Sequence, residues 1–285
     1  MSNTEISQAE RLDQYVTGQL ETVSRAFASK LIERGDVLVN GEAEHKAGFK
    51  VRPGDTITIN YDVTKEVIIP EIELEVIYED KDCVVINKPV GVLSHSKGDF
   101  NPEGTVASWL RTRLKSMEGE RAGIVHRLDR ATSGVMICAK NPDAMAWLQK
   151  QFSQRKVKKT YVAVVKGVFK QRQAIIDMPI ERNPKKPQTF RVGSNGKAAQ
   201  TEYWVLKTND KYSMVELKPT TGRTHQLRVH LENLGHPIVG DAFYNGPKAD
   251  RLFLHAHELE LTLPNRERKT FSVPVPKEFE ELVQE

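Results

Sequence analysis

Short apolar runs alternate with polar, turn-rich breaks along most of this chain, and helical periodicity surfaces in only a few places. Near the N-terminus, Arg11-Leu12-Asp13-Gln14-Tyr15-Val16 opens a helix. Ser24 reads as the N-cap of a second, whose Ala26, Phe27, Ala28, Leu31 and Ile32 share a face and which ends near Gly35. Val37-Leu38-Val39 then runs into Asn40-Gly41, a strong hairpin signal, and Thr56–Ile59 follows the Pro53-Gly54-Asp55 turn. Residues 1–62 thus read as one small α/β unit, and residues 63–73, with their proline and glutamates, as a connector to residues 74–285.

In the larger part, Leu74–Ile77 and Cys83–Ile86 flank a turn at Glu79-Asp80-Lys81-Asp82, and Asn87-Lys88-Pro89 breaks the second run into a loop. Residues 104–118 predict a helix with Val106, Trp109, Leu110 and Leu114 on one face, stopped by Gly119. Asn141-Pro142 starts another, burying Met145, Leu148 and Phe152. Strands are expected at Val135–Lys140, Tyr161–Val165, Gln200–Leu206 and Met214–Leu217. Turns separate them more often than helices do, so the fold class is α+β with a mixed, mainly antiparallel sheet and flanking helices.

At 285 residues, 39% apolar and 28% charged, the composition is that of a globular protein, with no apolar run long enough to span a membrane. The N-terminus has neither the basic nor the apolar region of a secretory signal, and Cys83 and Cys138 sit in apolar runs as buried, reduced thiols. A cytoplasmic protein is the expectation. Charge is uneven: residues 1–62 hold 7 Lys/Arg against 10 Asp/Glu, and the remainder 35 against 28. Clusters at Arg155–Lys159 and Arg182–Lys186 suit a polyanionic partner or, equally, a solvated lysine-rich face.

The candidate chemistry centres on His126-Arg127-Leu128-Asp129-Arg130, run through Ala131-Thr132-Ser133-Gly134 into the apolar strand. Asp129 falls in a turn-prone segment at the lip of a sheet, between two arginines that favour a charged carboxylate. Far downstream, Thr221-Gly222-Arg223 launches a helix whose apolar face is Leu227, Leu231 and Leu234, stopped by Gly235. Arg228 lies off that face, placed to neutralise a phosphate or to pin a carboxylate. None of the eight histidines has the spacing of a known metal site, and His225, His230 and His255 read as structural hydrogen-bonders. No nucleotide-binding glycine motif is present, so neither metal nor cofactor is implied.

Residues 74–285 resemble the RluA-type pseudouridine synthases. Six motifs carry the resemblance: Asn87-Lys88-Pro89-Val90-Gly91; His126-Arg127-Leu128-Asp129 with Thr132-Ser133-Gly134; Lys159-Thr160-Tyr161; Thr221 through Arg228; Gly235-His236-Pro237-Ile238-Val239-Gly240-Asp241; and Leu254-His255-Ala256. Ala131 departs from the aspartate of many members. The resemblance implies a pseudouridine synthase fold and isomerisation of uridine within structured RNA, ribosomal RNA before transfer RNA, by a monomer.

It makes Asp129 the nucleophile or base, acting on the ribose or on ring carbon 6, with Arg228 its cation. Tyr161 stacks on the extruded base, its hydroxyl assisting proton loss at carbon 5; Arg127 fills the gap left by the flipped nucleotide; Leu254 lines the pocket. His126 and Arg223, within the same motifs, become RNA contacts. Residues 11–62 resemble the small RNA-binding domain first seen in the fourth protein of the small ribosomal subunit, through Ser24, Arg25, Lys30, Gly35, Val37, Asn40, Gly41 and Pro53-Gly54-Asp55. That likeness implies that Arg25 and Lys30 face RNA.

Two other readings compete. A non-catalytic RNA-binding protein would use the small domain and basic clusters alone, which the intact Asp129, Tyr161 and Arg228 set argues against. A glycoside hydrolase needs two paired carboxylates, and the single rival, Asp241, reads as part of a turn.

Overall fold

The computed structural model describes residues 2–5, 8–20, 23, 25–61, 70–95, 103–114 and 122–284. Ser24, the connector at 63–69 and residues 115–119 therefore lie outside the described residues, as does the side chain of Ala26. The chain divides into two compact units, Met1–Glu71 with Ser96–Gly104, and Ile72–His95 with Thr105–Glu285.

In the first unit the helices Leu12–Gln19 and Arg25–Glu33 pack Leu12, Val16, Phe27, Leu31 and Ile32 against Val37, Ile57 and Ile59. The sheet runs in the order Ser2–Glu5, Thr56–Ile59, Val37–Val39, Glu42–Ala43. Asn40 and Gly41 both take positive φ, 52° and 87°, as a tight right-twisting hairpin turn requires. Asp13 is buried on the first helix and accepts hydrogen bonds from the guanidinium groups of Arg11 and Arg25, each at 3.0 Å. Arg25 is thus tied to a carboxylate on the neighbouring helix, whereas Lys30 is exposed.

The second unit is built on a nine-stranded sheet. Its path is Gln173–Asp177, Gln200–Thr208, Tyr212–Pro219, Lys158–Lys166, Leu254–Thr262, Ser133–Ala139, Cys83–Lys88, Glu75–Glu79, with Arg268–Ser272 also paired to Leu254–Thr262. Every pairing is antiparallel except that of Leu254–Thr262 with Ser133–Ala139. The strand Cys83–Lys88 continues one register beyond the break read at Asn87, and the loop opens at Pro89.

Two cores lie along this sheet. One gathers Val84–Ile86, Trp109, Leu110, Met136–Ala139 and Leu148; the other gathers Val162–Val165, Val215, Leu217, Leu227, Leu231 and Phe279. Tyr161 packs against both. Helix Val106–Arg113 begins in a capping box between Thr105 and Ser108, and helix Pro142–Ser153 begins as expected, Asn141 capping the N–H of Ala144 at 2.8 Å.

The parallel pairing fixes the geometry that matters. It sets His255 opposite Ser133 and Ala256 opposite Gly134, so two central strands start side by side at the same end of the sheet. Gly134 has φ 117°, and a Cβ there would overlap the carbonyl of Ala256.

The Asp13 cluster generates a prediction. Its arginines hold the Asp13 carboxyl down at about 2, below the ordinary 3.8. A carboxylate with a depressed folded-state pKa contributes stability above the unfolded value, and loses it as pH falls toward the folded one. With both arginines half exposed, Asp13→Asn should cost about 1–2 kcal/mol at pH 7. By thermal unfolding, the difference from wild type should shrink between pH 4 and pH 2; a difference unchanged at pH 2 would show that the pair contributes nothing.

Candidate active site

Seven sequence-derived residues line one cavity of about 480 Å³: His126, Arg127, Asp129, Tyr161, Arg223, Arg228 and Leu254. Arg25 and Lys30 belong to the other compact unit. Each cavity residue is held by the elements just described.

The loop carrying Asp129 is clamped from several sides. The Ser94 hydroxyl donates to the Leu128 carbonyl and accepts the Leu128 N–H, at 2.8 and 3.1 Å. Gly91 N–H donates to the Arg130 carbonyl, and Thr132 N–H closes a turn on the Asp129 carbonyl. Lys88, fully buried, spends its ammonium on the carbonyls of Pro89 and Val92 at 2.9 and 2.8 Å, and more distantly on that of Arg130. Burial lowers its pKa to about 8, with Asp129 opposing the shift. The Asn87–Gly91 motif therefore serves the loop of the carboxylate.

Asp129 keeps a quarter of its side chain exposed. The basic groups within 4 Å of its carboxylate are Arg228, with Nη1 3.6 Å from Oδ2, and His225, with Nε2 3.7 Å from the same oxygen. They come from the distant helix rather than from the adjoining arginines. Arg127 is exposed on the cavity wall and has no ion-pair partner among the described residues.

Arg228 is almost wholly buried, and its fork belongs to Asp241: Nε donates to Oδ2 and Nη2 to Oδ1, both at 2.7 Å. Burial opposes its charge, but the Asp241 hydrogen bonds together with the charges of Asp241 and Asp129 outweigh it and raise the guanidinium pKa. Asp241, fully buried at its side chain, also accepts the N–H groups of Phe243 and Tyr244. Sequence reasoning placed Asp241 in a turn. The turn is there, and its carboxylate is the bidentate partner of Arg228, a role no local signal announces.

A β-bulge between Thr160 and Tyr161 re-aims Tyr161 into the cavity, opposite Ala256 and two residues from the pairing of Ala163 with Leu254. Burial first and Asp129 second push the phenol pKa up, so the hydroxyl stays protonated. Lys159 beside it donates to the Thr221 carbonyl, and burial lowers its pKa to about 8.

His126 accepts the Ile137 N–H at Nε2 and stacks on Phe152 at 4.5 Å; burial drops its pKa to about 3, which keeps it neutral. Arg223 Nε donates to the Ala198 carbonyl. Gln226 organises the 221–226 segment, accepting from Thr221 Oγ1 and Arg223 N–H and donating to the Gln200 carbonyl and Thr201 Oγ1. His230 and His255 make the internal hydrogen bonds expected of them, to Thr201 with Met178 and to Ser133 respectively. His225 does so through Nδ1, to the Tyr244 hydroxyl. Among the described residues no cluster of three or more His, Cys, Asp or Glu is gathered as for a metal, and no helix is long and apolar enough to cross a membrane.

One carboxylate beside a fixed guanidinium, in a cavity of this size, suits an enzyme that works on a base turned out of RNA. The family model for RNA pseudouridylate synthase matches residues 82–233, and the S4 domain model matches residues 10–57. An uncharacterised RNA pseudouridine synthase of Aquifex aeolicus is 41% identical over 82% of this chain and 77% of its own length. The ribosomal large subunit pseudouridine synthase D of Borreliella burgdorferi is 38% identical over 94% and 87%. The human RNA pseudouridylate synthase domain-containing protein 1 superposes with a TM-score of 0.61 at 32% identity, over 73% of this chain and 84% of its own. The chain belongs to the RNA pseudouridine synthase family, with an N-terminal S4 domain, and isomerises uridine to pseudouridine in RNA.

The Arg228–Asp241 pair carries a prediction. Asp241→Asn leaves a buried guanidinium without its counter-charge, which costs about 3–5 kcal/mol. The urea midpoint should fall accordingly. Replacing both partners by apolar residues, Arg228→Met with Asp241→Leu, should recover most of that stability and none of the activity. A single variant as stable as wild type would mean that Arg228 finds another anion.

Proposed function

We propose that Asp129 is the reacting carboxylate of the isomerisation, with Arg228 as its cation. Tyr161 offers its ring to the flipped uracil, Leu254 packs behind it, and Arg127 occupies the gap left in the RNA. His126 and Arg223 shape the wall against the nucleotide. The observation that carries this reading is the position of Asp129. It opens into the cavity, while the buried pair behind it sets a positive charge 3.6 Å from one of its oxygens. A phenol held protonated by burial favours Tyr161 as a stacking surface and hydrogen-bond donor over a phenolate base.

The target is taken to be ribosomal RNA of the large subunit, as the names of several relatives suggest. The protein is read as a cytoplasmic monomer. Residues 1–62 are assigned to RNA capture, 63–73 to a connector and 74–285 to catalysis.

Asp129→Asn should abolish pseudouridine formation while RNA affinity stays within a fewfold, because the amide is isosteric but neither nucleophile nor base. Pseudouridine mapping of RNA treated with the purified variant tests this. Turnover at a tenth of the wild-type rate would remove Asp129 from the chemistry.

Deletion of residues 1–62 should leave chemistry on a short RNA and weaken binding to a large structured one. Two linked modules bind through effective concentration, and one alone does not. The loss should be moderate, since this segment has more acidic than basic residues and Arg25 is already tied to Asp13. Unchanged affinity for large RNA would show that the segment does not target it.

A further inference from the structure

His225 holds its place against its own backbone preference. It is the N-cap of the helix Gln226–Asn233 with φ 56° and ψ 20°, the left-handed region, and makes no side-chain cap hydrogen bond there. Such a conformation in a residue with a Cβ persists when its surroundings impose it. Here they do. The Tyr244 hydroxyl lies 2.8 Å from Nδ1, with the two rings edge to face at 5.5 Å and 88°. The Phe190 ring also meets the imidazole edge to face, at 5.8 Å and 81°.

The hydrogen bonds favour one tautomer. Tyr244 already accepts the Phe190 N–H at 2.9 Å, and burial pushes its pKa up to about 12. It keeps its proton, and Nδ1 is the acceptor in reach. The ring proton of a neutral His225 then sits on Nε2, the nitrogen facing Asp129. Around the ring stand Asp129, Arg228, Asp241, Arg127 and Tyr244. Burial lowers its pKa, Asp129 and Asp241 oppose that, and Arg228 and Arg127 reinforce it.

His225 Nε2 and Arg228 Nη1 thus both lie nearest Oδ2 of Asp129, at 3.7 and 3.6 Å, just beyond hydrogen-bond length, and none comes as close to Oδ1 among the described ion pairs. One turn arranges both, because Asp241 locks Arg228 and Tyr244, three residues on, locks His225.

We propose that His225 is a positioning residue of the isomerisation: a neutral imidazole that, with Arg228, fixes Oδ2 of Asp129 and leaves Oδ1 as the reacting oxygen. The proposal rests on Asp129 as the reacting carboxylate, and its test separates the two.

RNA from cells lacking this enzyme and grown on uridine tritiated at carbon 5 gives a direct readout. Tritium is released when carbon 5 bonds to the ribose and loses its hydrogen. His225→Asn suits the left-handed backbone and can accept from Tyr244, but it has no N–H that reaches Asp129. It should lower kcat about 10²-fold, the loss expected of a misplaced reacting group, with KM within twofold. His225→Gln is worse for the backbone but returns an N–H toward Oδ2, and should recover about tenfold over asparagine. If His225 serves only the fold, that order reverses and the proposal falls.

Tyr244→Phe frees the tautomer. Its kcat should drop at neutral pH and rise as pH falls, since the imidazolium again carries Nε2–H. A Tyr244→Phe profile parallel to wild type overturns the proposal, as does His225→Asn with unchanged kcat. Asp129→Asn is the control. If it turns over, the assignment of Asp129 fails; if it is inactive while His225→Asn is not impaired, only the role of His225 fails.

Discussion

The arrangement of this site depends on one buried ion pair, Arg228 with Asp241. A guanidinium nearly without water is tolerable only where its donors are met, and Asp241 meets two of them at 2.7 Å. The carboxylate in turn needs its acceptors met, and the N–H groups of Phe243 and Tyr244 add two bonds to Oδ1. With two of its nitrogens held by Asp241, the guanidinium cannot rotate, and Nη1 is left pointing at Asp129. The same turn delivers Tyr244 to His225. A point charge such as lysine would satisfy Asp241 but not fix the direction of the remaining donor. The pair is an orienting device before it is a stabilising one.

A second constraint acts on the carboxylate itself. The parallel pairing of Ser133–Ala139 with Leu254–Thr262 requires close backbone approach at Gly134 and brings the starts of both strands to the same end of the sheet. Asp129 precedes one of these strands by a single turn, and Leu254 begins the other. The buried ammonium of Lys88 then holds the loop through carbonyls alone, so the loop is fixed without spending the charge of Asp129. Backbone groups position the carboxylate, and side chains from far away set its electrostatics.

This division explains what was legible in the sequence. The Asn40-Gly41 turn and the Asn141 cap are local signals and formed where local chemistry placed them, whereas the helix read over 104–118 ends at Arg113, with Leu114 extended. The residues lining the cavity were legible through motifs. Pair identity was not. Asp241 is 13 residues from Arg228 and reads locally as a turn former, while the buried fork exists only once helix and turn are packed. Arg25 reads as a free surface cation until Asp13 is found on the neighbouring helix. The strands Gln173–Asp177, Ile180–Arg182 and Phe190–Val192 escaped notice because their alternation is short and half exposed, stabilised by cross-strand partners rather than by intrinsic pattern.

The cations of the cavity fall into two physical kinds. Arg228 is held: its charge is matched by Asp241 and directed at Asp129, so little of it is left for a phosphate. Arg127 is exposed, with no ion-pair partner among the described residues, and Lys159 is engaged only by a neutral carbonyl. Turning a nucleotide out of the stack costs a few kcal/mol, and that energy has to come from contacts made on binding. Rim cations can supply it, because their charge is uncommitted before RNA arrives. The held cation cannot, and its fixity serves the later step, where a reacting group misplaced by about 1 Å can lose 10²-fold in rate. On the proposed reading, capture and chemistry draw on different arginines lining one cavity.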